Sequence, residues 1–171
     1  MRVVVNDTSC LIDLRKAGLL QAALLLPFEF QIALPLIYSE LFDFTPAEIE
    51  DLKARGLTVV DLPPEEVARA LTYRSAYPTL SFNDCLSMAL AASQPGCVLL
   101  TGDQSLRRKA EMIAIKVHGV LWVTDQLEVS GRTTYEELHD SLLRLQADPL
   151  VFLPKVELTE RIAKLRKLLK Q

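Results

Sequence analysis

At 171 residues, 50% hydrophobic and 24% charged, the chain has the size and apolar content of one ordinary globular domain, which excludes a disordered tail or a collagen-like fibre. Its longest apolar stretch, residues 18–28, is broken by Gln21 and Pro27 and falls short of the roughly 20 residues a membrane helix needs. The formal net charge of −3 gives no sign of a nucleic-acid binder. The N-terminal Met-Arg-Val-Val-Val reaches Asn6 and Asp7 too soon for a signal peptide, so a cytoplasmic protein without a membrane span is expected. Cys10, Cys85 and Cys97 are isolated in apolar company and read as buried free thiols. His118 and His139 have no partner at metal-ligand spacing, which argues against zinc.

The β-branched run at residues 2–5 predicts a buried strand, and Asp7-Thr8-Ser9 opens a helix that ends at Gly18. A second helix over 19–26 stops at Pro27, and a strand is expected over 30–34. Pro35 begins a helix through about Phe44, and Pro46 begins another that Gly56 caps. Residues 57–61 form a third strand, and Pro63-Pro64 opens a helix to about Ala76. Ser81 is an N-cap for a helix over 82–93, which Pro95-Gly96 terminates. The apolar run 97–101 is a strand, followed by Gly102-Asp103 and a helix to about Met112. A last strand covers 115–118; beyond Gly119 the pattern is helical only, over 120–129, 134–146 and 158–169. Strands alternating with helices imply a parallel sheet covered on both faces, with residues 121–171 as a helical extension packed on the same domain or in a dimer.

In such sheets ligands bind beyond the carboxyl ends of the strands. Asp7 and Asp103 follow two continuous apolar runs of central-strand character, so their carboxylates are expected at one edge. Each also precedes a helix and is open to an ordinary capping role, and Ser81-x-x-Asp84 has the form of a capping box. Glu40 is different. In the helix from Pro35 it falls within the stripe of Leu36, Ile37, Leu41 and Phe44, where a lone carboxylate needs either a salt bridge or a metal ion. Two carboxylates about 4 Å apart repel by roughly 4 kcal/mol at an effective dielectric near 20, so a cluster of them holds protons or a cation. An all-oxygen set without His or Cys suits Mg²⁺ or Mn²⁺, and such ions activate water for phosphodiester hydrolysis.

Val-Val-Asn-Asp7-Thr-Ser-Cys-Leu-Ile resembles the opening strand and Asp-[Ser/Thr] motif of PIN-domain nucleases, a family that includes VapC-like toxin ribonucleases. Pro-Leu-Ile-Tyr-Ser-Glu40-Leu is similar to their helix-borne Glu. Ser81-Phe-Asn-Asp84, opening an alanine-rich helix, is similar to their third acid, and Leu-Leu-Thr101-Gly-Asp103 to their fourth. The resemblance covers about residues 1–120. It implies a PIN-like three-layer α/β/α sandwich and a Mg²⁺- or Mn²⁺-dependent endoribonuclease site. Asp7, Asp84 and Asp103 would be metal ligands, and Glu40 would bind metal or orient the attacking water, with Thr101 and Ser9 holding carboxylates or waters behind them. It also implies an RNA substrate, a possible toxin–antitoxin role with an inhibitory antitoxin protein, and a homodimer. The common toxins end near the last strand, whereas this chain continues for some fifty residues. The alternative is a catalytically inactive PIN-like module that binds nucleic acid or a protein.

Basic residues exist locally despite the acidic balance. Arg107, Arg108 and Lys109 follow Asp103 within two helical turns and are candidate RNA contacts, as are Arg15-Lys16 and the cations of the last segment; solvated helix faces are the ordinary reading of each. Leu158, Ile162, Leu165 and Leu169 recur at helical spacing and are expected to pack on a neighbour. Trp122 reads as core. No phosphate-binding G-x-x-x-x-G-K loop or G-x-S-x-G elbow is present, and the lysine expected of an aspartyl-phosphate receiver after a late strand is not evident.

Overall fold

The computed structural model of the protein describes residues 1–170; Gln171, the last residue of the expected extension, lies outside the described residues. Five strands form one all-parallel sheet in the order β3-β2-β1-β4-β5: β1 (Arg2–Asn6), β2 (Phe28–Ala33), β3 (Leu57–Val60), β4 (Val98–Leu100) and β5 (Lys116–His118). The two continuous apolar runs occupy the middle, β1 beside β4, with Val4, Val5, Val98, Leu99 and Leu100 fully buried between helical layers. This is the pattern that burial on both faces selects. The chain runs outward from β1 through β2 to β3, then returns to β1's other side as β4. The order therefore reverses between β1 and β4, and a crevice opens beyond their carboxyl ends.

Helices cover both faces. They are α1 (Thr8–Ala17), α2 (Leu20–Leu24), α3 (Leu34–Glu40), α4 (Pro46–Ala54), α5 (Pro64–Ala76), α6 (Phe82–Ala92) and α7 (Gln104–Met112), followed by α8 (Val120–Ser130), α9 (Tyr135–Ala147) and α10 (Lys155–Leu168). Gly18 ends α1 at φ 75°, where it accepts the left-handed conformation that a helix C-terminus favours. The expected element at each position is found, with two shortened helices. Residues 25 and 26 turn rather than continue α2, because Pro27 disfavours helical geometry before it. More consequentially, α3 stops at Glu40 rather than near Phe44. Leu41 leaves the helical region (φ −88°, ψ 49°) and a turn follows, its Leu41 and Phe44 side chains still buried.

The helices after β5 share the core of the sheet domain. Leu138, Leu142 and Leu145 of α9 and Leu158, Ile162 and Leu165 of α10 are buried in one continuous apolar cluster with the sheet residues. α9 packs on α1 and α8, and α10 packs on α9; Leu169, at the end of the α10 stripe, is half exposed. Arg144 Nη1 donates to the carbonyl of Ala17 at 3.1 Å, and Lys16 pairs with Asp148 at 3.0 Å. All three cysteines are free and buried. Among the described residues, no helix is long and apolar enough to cross a membrane.

Candidate active site

Asp7 follows β1 at the point where the sheet order reverses, and its backbone N–H extends the ladder to the carbonyl of Leu100 at 2.9 Å. It stands at the N-cap of α1, yet its side chain caps nothing. The carboxylate turns instead to two hydroxyls: Ser9 Oγ and Thr101 Oγ1 each donate to Oδ2 at 2.8 Å. The capping explanation therefore fails at this residue. Only 5% of Asp7 is exposed, and burial pushes its carboxyl up to about 6. The Ser9 and Thr101 hydrogen bonds work against that rise, and the like charges of Asp84 and Glu40 add to it.

Asp103 and Asp84 do cap. Asp103 Oδ1 accepts from the Leu106 N–H at 2.7 Å at the start of α7. Asp84 Oδ2 accepts from the Ser81 N–H at 2.6 Å while Ser81 Oγ accepts from Asp84 N–H, a reciprocal capping box on α6. Each bond occupies one carboxylate oxygen. Among the described residues the second oxygen of Asp7, Asp84 and Asp103 makes no hydrogen bond, so a capping duty and a ligand duty are compatible in one residue. Burial also raises the Asp84 carboxyl, against the two Ser81 hydrogen bonds, and the charges of Asp103 and Glu40 raise it further.

Glu40, the last residue of α3, is half buried. Two neutral donors contact it, a contribution that stands beside the expected salt bridge or metal ion. Asn83 Nδ2 donates to Oε1 at 2.6 Å and the Thr8 hydroxyl donates to Oε2. Asn83 Nδ2 also stands 2.7 Å from Ser39 Oγ, which ties the end of α3 to the start of α6. Thr8 and Asn83 were not singled out as site residues. Their signal was adjacency, since each lies next to a candidate aspartate in sequence and hands its own side chain to the third acid.

Thr101 and Ser9 stand where carboxylate-holding residues were expected. Thr101 Oγ1 both donates to Asp7 and accepts from the Asp103 N–H at 3.0 Å; Ser9 Oγ donates to Asp7 and accepts from the Gly102 N–H at 3.1 Å. The three basic candidates diverge. Arg107 turns inward, donating to the carbonyls of Val117 (3.2 Å) and Thr101 (3.4 Å). Arg108 is exposed and donates to the Gln104 carbonyl, and Lys109 lies over the Tyr77 ring at 5.0 Å.

Among the described residues none of the four acids forms a salt bridge, and no three His, Cys, Asp or Glu side chains converge closely enough to enclose one ion. The donor chemistry nevertheless fits a hard cation. It consists of four carboxylates that repel one another, with free oxygens on three of them and one member, Asp7, whose burial and like-charged neighbours resist its ionisation.

Acids at the switch point of a five-stranded parallel sheet with helices on both faces define a PIN-like α/β/α sandwich, a nuclease-type fold. A family model described as a PIN domain matches residues 3–167, and the chain belongs to that family. The match runs through the helices beyond β5. No curated protein matches the chain.

Proposed function

We propose that the protein is a metal-dependent endoribonuclease whose catalytic residues are Asp7, Glu40, Asp84 and Asp103. The observation that carries this is Asp7: a buried carboxylate that caps no helix, pairs with no cation among the described residues and is held by Ser9 and Thr101 beside two other acids. Asp7, Asp84 and Asp103 would hold Mg²⁺ or Mn²⁺ through their free oxygens. Such an ion, when bound, supplies Lewis-acid stabilisation of phosphodiester charge and a more acidic water. The chain's own part is orientation. Thr101 fixes Asp7 and the Asp103 backbone together, and Asn83 and Thr8 hold Glu40, which would bind metal or orient the attacking water. RNA, rather than DNA, follows the resemblance to the toxin ribonucleases. On the same ground the protein would act in the cytoplasm as a homodimeric toxin restrained by an antitoxin, which size-exclusion chromatography and a neighbouring antitoxin gene would test.

The test is incubation of a mixed RNA pool with the protein and Mg²⁺ or Mn²⁺, beside Asp7→Asn and Asp84→Asn. Cleavage is expected from the parent alone; cleavage undiminished in both variants refutes the assignment. One observation favours the second reading, an inactive module: both Glu40 oxygens are already satisfied by protein donors, and among the described residues no three acids converge. That reading requires RNA retention without turnover in the same assay.

A further inference from the structure

Beyond the carboxyl ends of β4 and β5 lies a cavity of about 440 Å³, closed on its far side by residues 152–161, the segment that leads into α10 and the first turns of that helix. Thr101 is the partition between this cavity and the acids. Its hydroxyl serves Asp7 and Asp103, whereas its carbonyl accepts from Arg107 Nη2, and the cavity is lined by Thr101, Gly102 and Arg107. Two carbonyls hold Arg107 and Glu111 pairs with its Nη1 at 3.7 Å, which still leaves donors among the guanidinium's five. His118 sits beside it, stacked on Trp122 with centroids 4.7 Å apart and planes 2° apart. Burial lowers the proton affinity of His118, and the charges of Lys116, Arg107 and Arg2 lower it further; the carboxylate of Asp13 also lines the cavity. Gly119, the N-cap of the 11-residue α8, makes no side-chain cap there. The opposite end is different in kind. There Arg161 pairs with both oxygens of Asp125 at 2.8 and 2.6 Å and with Glu157 at 3.8 Å, and each of these carboxylates keeps further lone pairs for a donor.

We propose that this cavity is a subsite for one nucleotide of the substrate strand next to the cleaved bond, its phosphate on Arg107 and its base towards Asp125 and Glu157. The proposal rests on the nuclease reading for its substrate. Size is consistent, since small-molecule sites occupy about 300–1,000 Å³. Chemistry divides along the cavity as a nucleotide does. A guanidinium with spare donors and an uncapped helix start suit a phosphate, and carboxylates suit the amino groups and N–H edges of bases. It also gives the residues beyond β5 a task, because they supply one wall of the cavity beside Thr101.

Trp122 is the sole tryptophan of the chain and lines the cavity, so its fluorescence reports occupancy. The experiment titrates the whole protein, with chelator and no divalent cation, with uridine 5′-monophosphate and separately with uridine. A saturable change is expected for the monophosphate, about tenfold tighter or more than for uridine, as loss of a charge-assisted contact implies. Arg107→Gln should weaken the monophosphate by a similar factor. Because Arg107 also braces two strand ends, a second variant guards the result. In Gly119→Asp a Cβ meets Arg107 Nη2 and the Thr101 carbonyl at ordinary distances of 3.6 and 3.7 Å, and aspartate is a favoured N-cap. That variant should fold at least as well as the parent and lose monophosphate binding through its own carboxylate. Equal binding of uridine and the monophosphate, or undiminished binding by Gly119→Asp, overturns the subsite. RNA cleavage by a protein that fails this titration would sink the subsite alone, and titration without cleavage would sink the nuclease reading alone.

Discussion

Thr101 Oγ1 donates to Asp7 Oδ2 at 2.8 Å across the reversal of the sheet, and the same oxygen accepts the Asp103 N–H at 3.0 Å. One hydroxyl thus sets the relative position of two candidate acids that are 96 residues apart in sequence, using both its donor and its acceptor capacity. Thr101→Val removes both contacts at nearly constant volume. The Asp103 N–H loses its partner, so a loss of about 1–3 kcal/mol in a denaturant melt is expected. A hydrogen bond that lowers the Asp7 carboxyl also disappears, so the acid limb of any pH–activity profile should move to higher pH. A profile that moves to lower pH would contradict the geometry.

Asp7 itself should cost the fold stability. Its folded-state carboxyl lies at about 6 against an ordinary 3.8, so the folded protein holds that proton more tightly than the unfolded chain. The penalty is absent below about pH 4, accumulates between pH 4 and about 6, and is fully present at pH 7. A shift of that size corresponds to about 3 kcal/mol. Asp7→Asn should therefore melt higher than the parent at pH 7 without divalent cation, by several degrees at roughly 2–4 °C per kcal/mol, and lose cleavage entirely. The advantage should vanish near pH 4; an Asn variant less stable at pH 7 would refute the burial account.

Divalent cation should act on the same balance from the other side. Mg²⁺ or Mn²⁺ in large excess is expected to stabilise the parent by about 2.7 kcal/mol at 100 times the dissociation constant, seen as a higher melting temperature. The rise should be steeper at pH 7 than at pH 5, because cation and proton compete for Asp7. Chelation should abolish RNA cleavage and readdition restore it. Equal stabilisation of Asp7→Asn would place the cation elsewhere.

Asn83→Leu leaves the Ser81–Asp84 capping box intact and strips Glu40 of the donor on Oε1. Cleavage is expected to fall about 10–100-fold, as loss of a supporting hydrogen bond typically does, with little change in the far-UV spectrum. Full activity would mean that Glu40 needs no such support.

Leu142→Ala tests whether the residues beyond β5 unfold with the sheet. Leu142 is 1% exposed in the shared core, and its truncation should cost about 2–5 kcal/mol in a single transition. Two separate transitions would make the extension an independent unit.

Much of this was legible in the sequence because periodicity and punctuation carry strong local signals. The apolar runs of β1 and β4, the proline-opened α4 and α5 and the Ser81 cap all lie where their residues predict. What escaped depended on tertiary partners. The apolar stripe of Leu36, Ile37, Leu41 and Phe44 is buried or nearly so, yet the last two members belong to a turn, since periodicity does not distinguish a helix from a turn that tucks its side chains under the same layer. The neutral compensation of Glu40 comes from Thr8 and Asn83, residues 32 and 43 positions away. No local pattern encodes such a contact. Among the aspartates, capping propensity ranked three residues alike, and only the direction of the Asp7 side chain separates it from the true caps.

The formal charge of −3 counts side chains only. Asp7, Asp84 and Asp103 stand at the starts of α1, α6 and α7, and each helix start carries the equivalent of about half a positive charge on its backbone. Three such termini beside one crevice offset part of the negative charge of the aspartates they carry, a contribution that isoelectric point and residue counts do not register. Substituting lysines and arginines one by one would leave that portion of the field untouched, since it belongs to the peptide units and persists in any sequence that keeps the three helices.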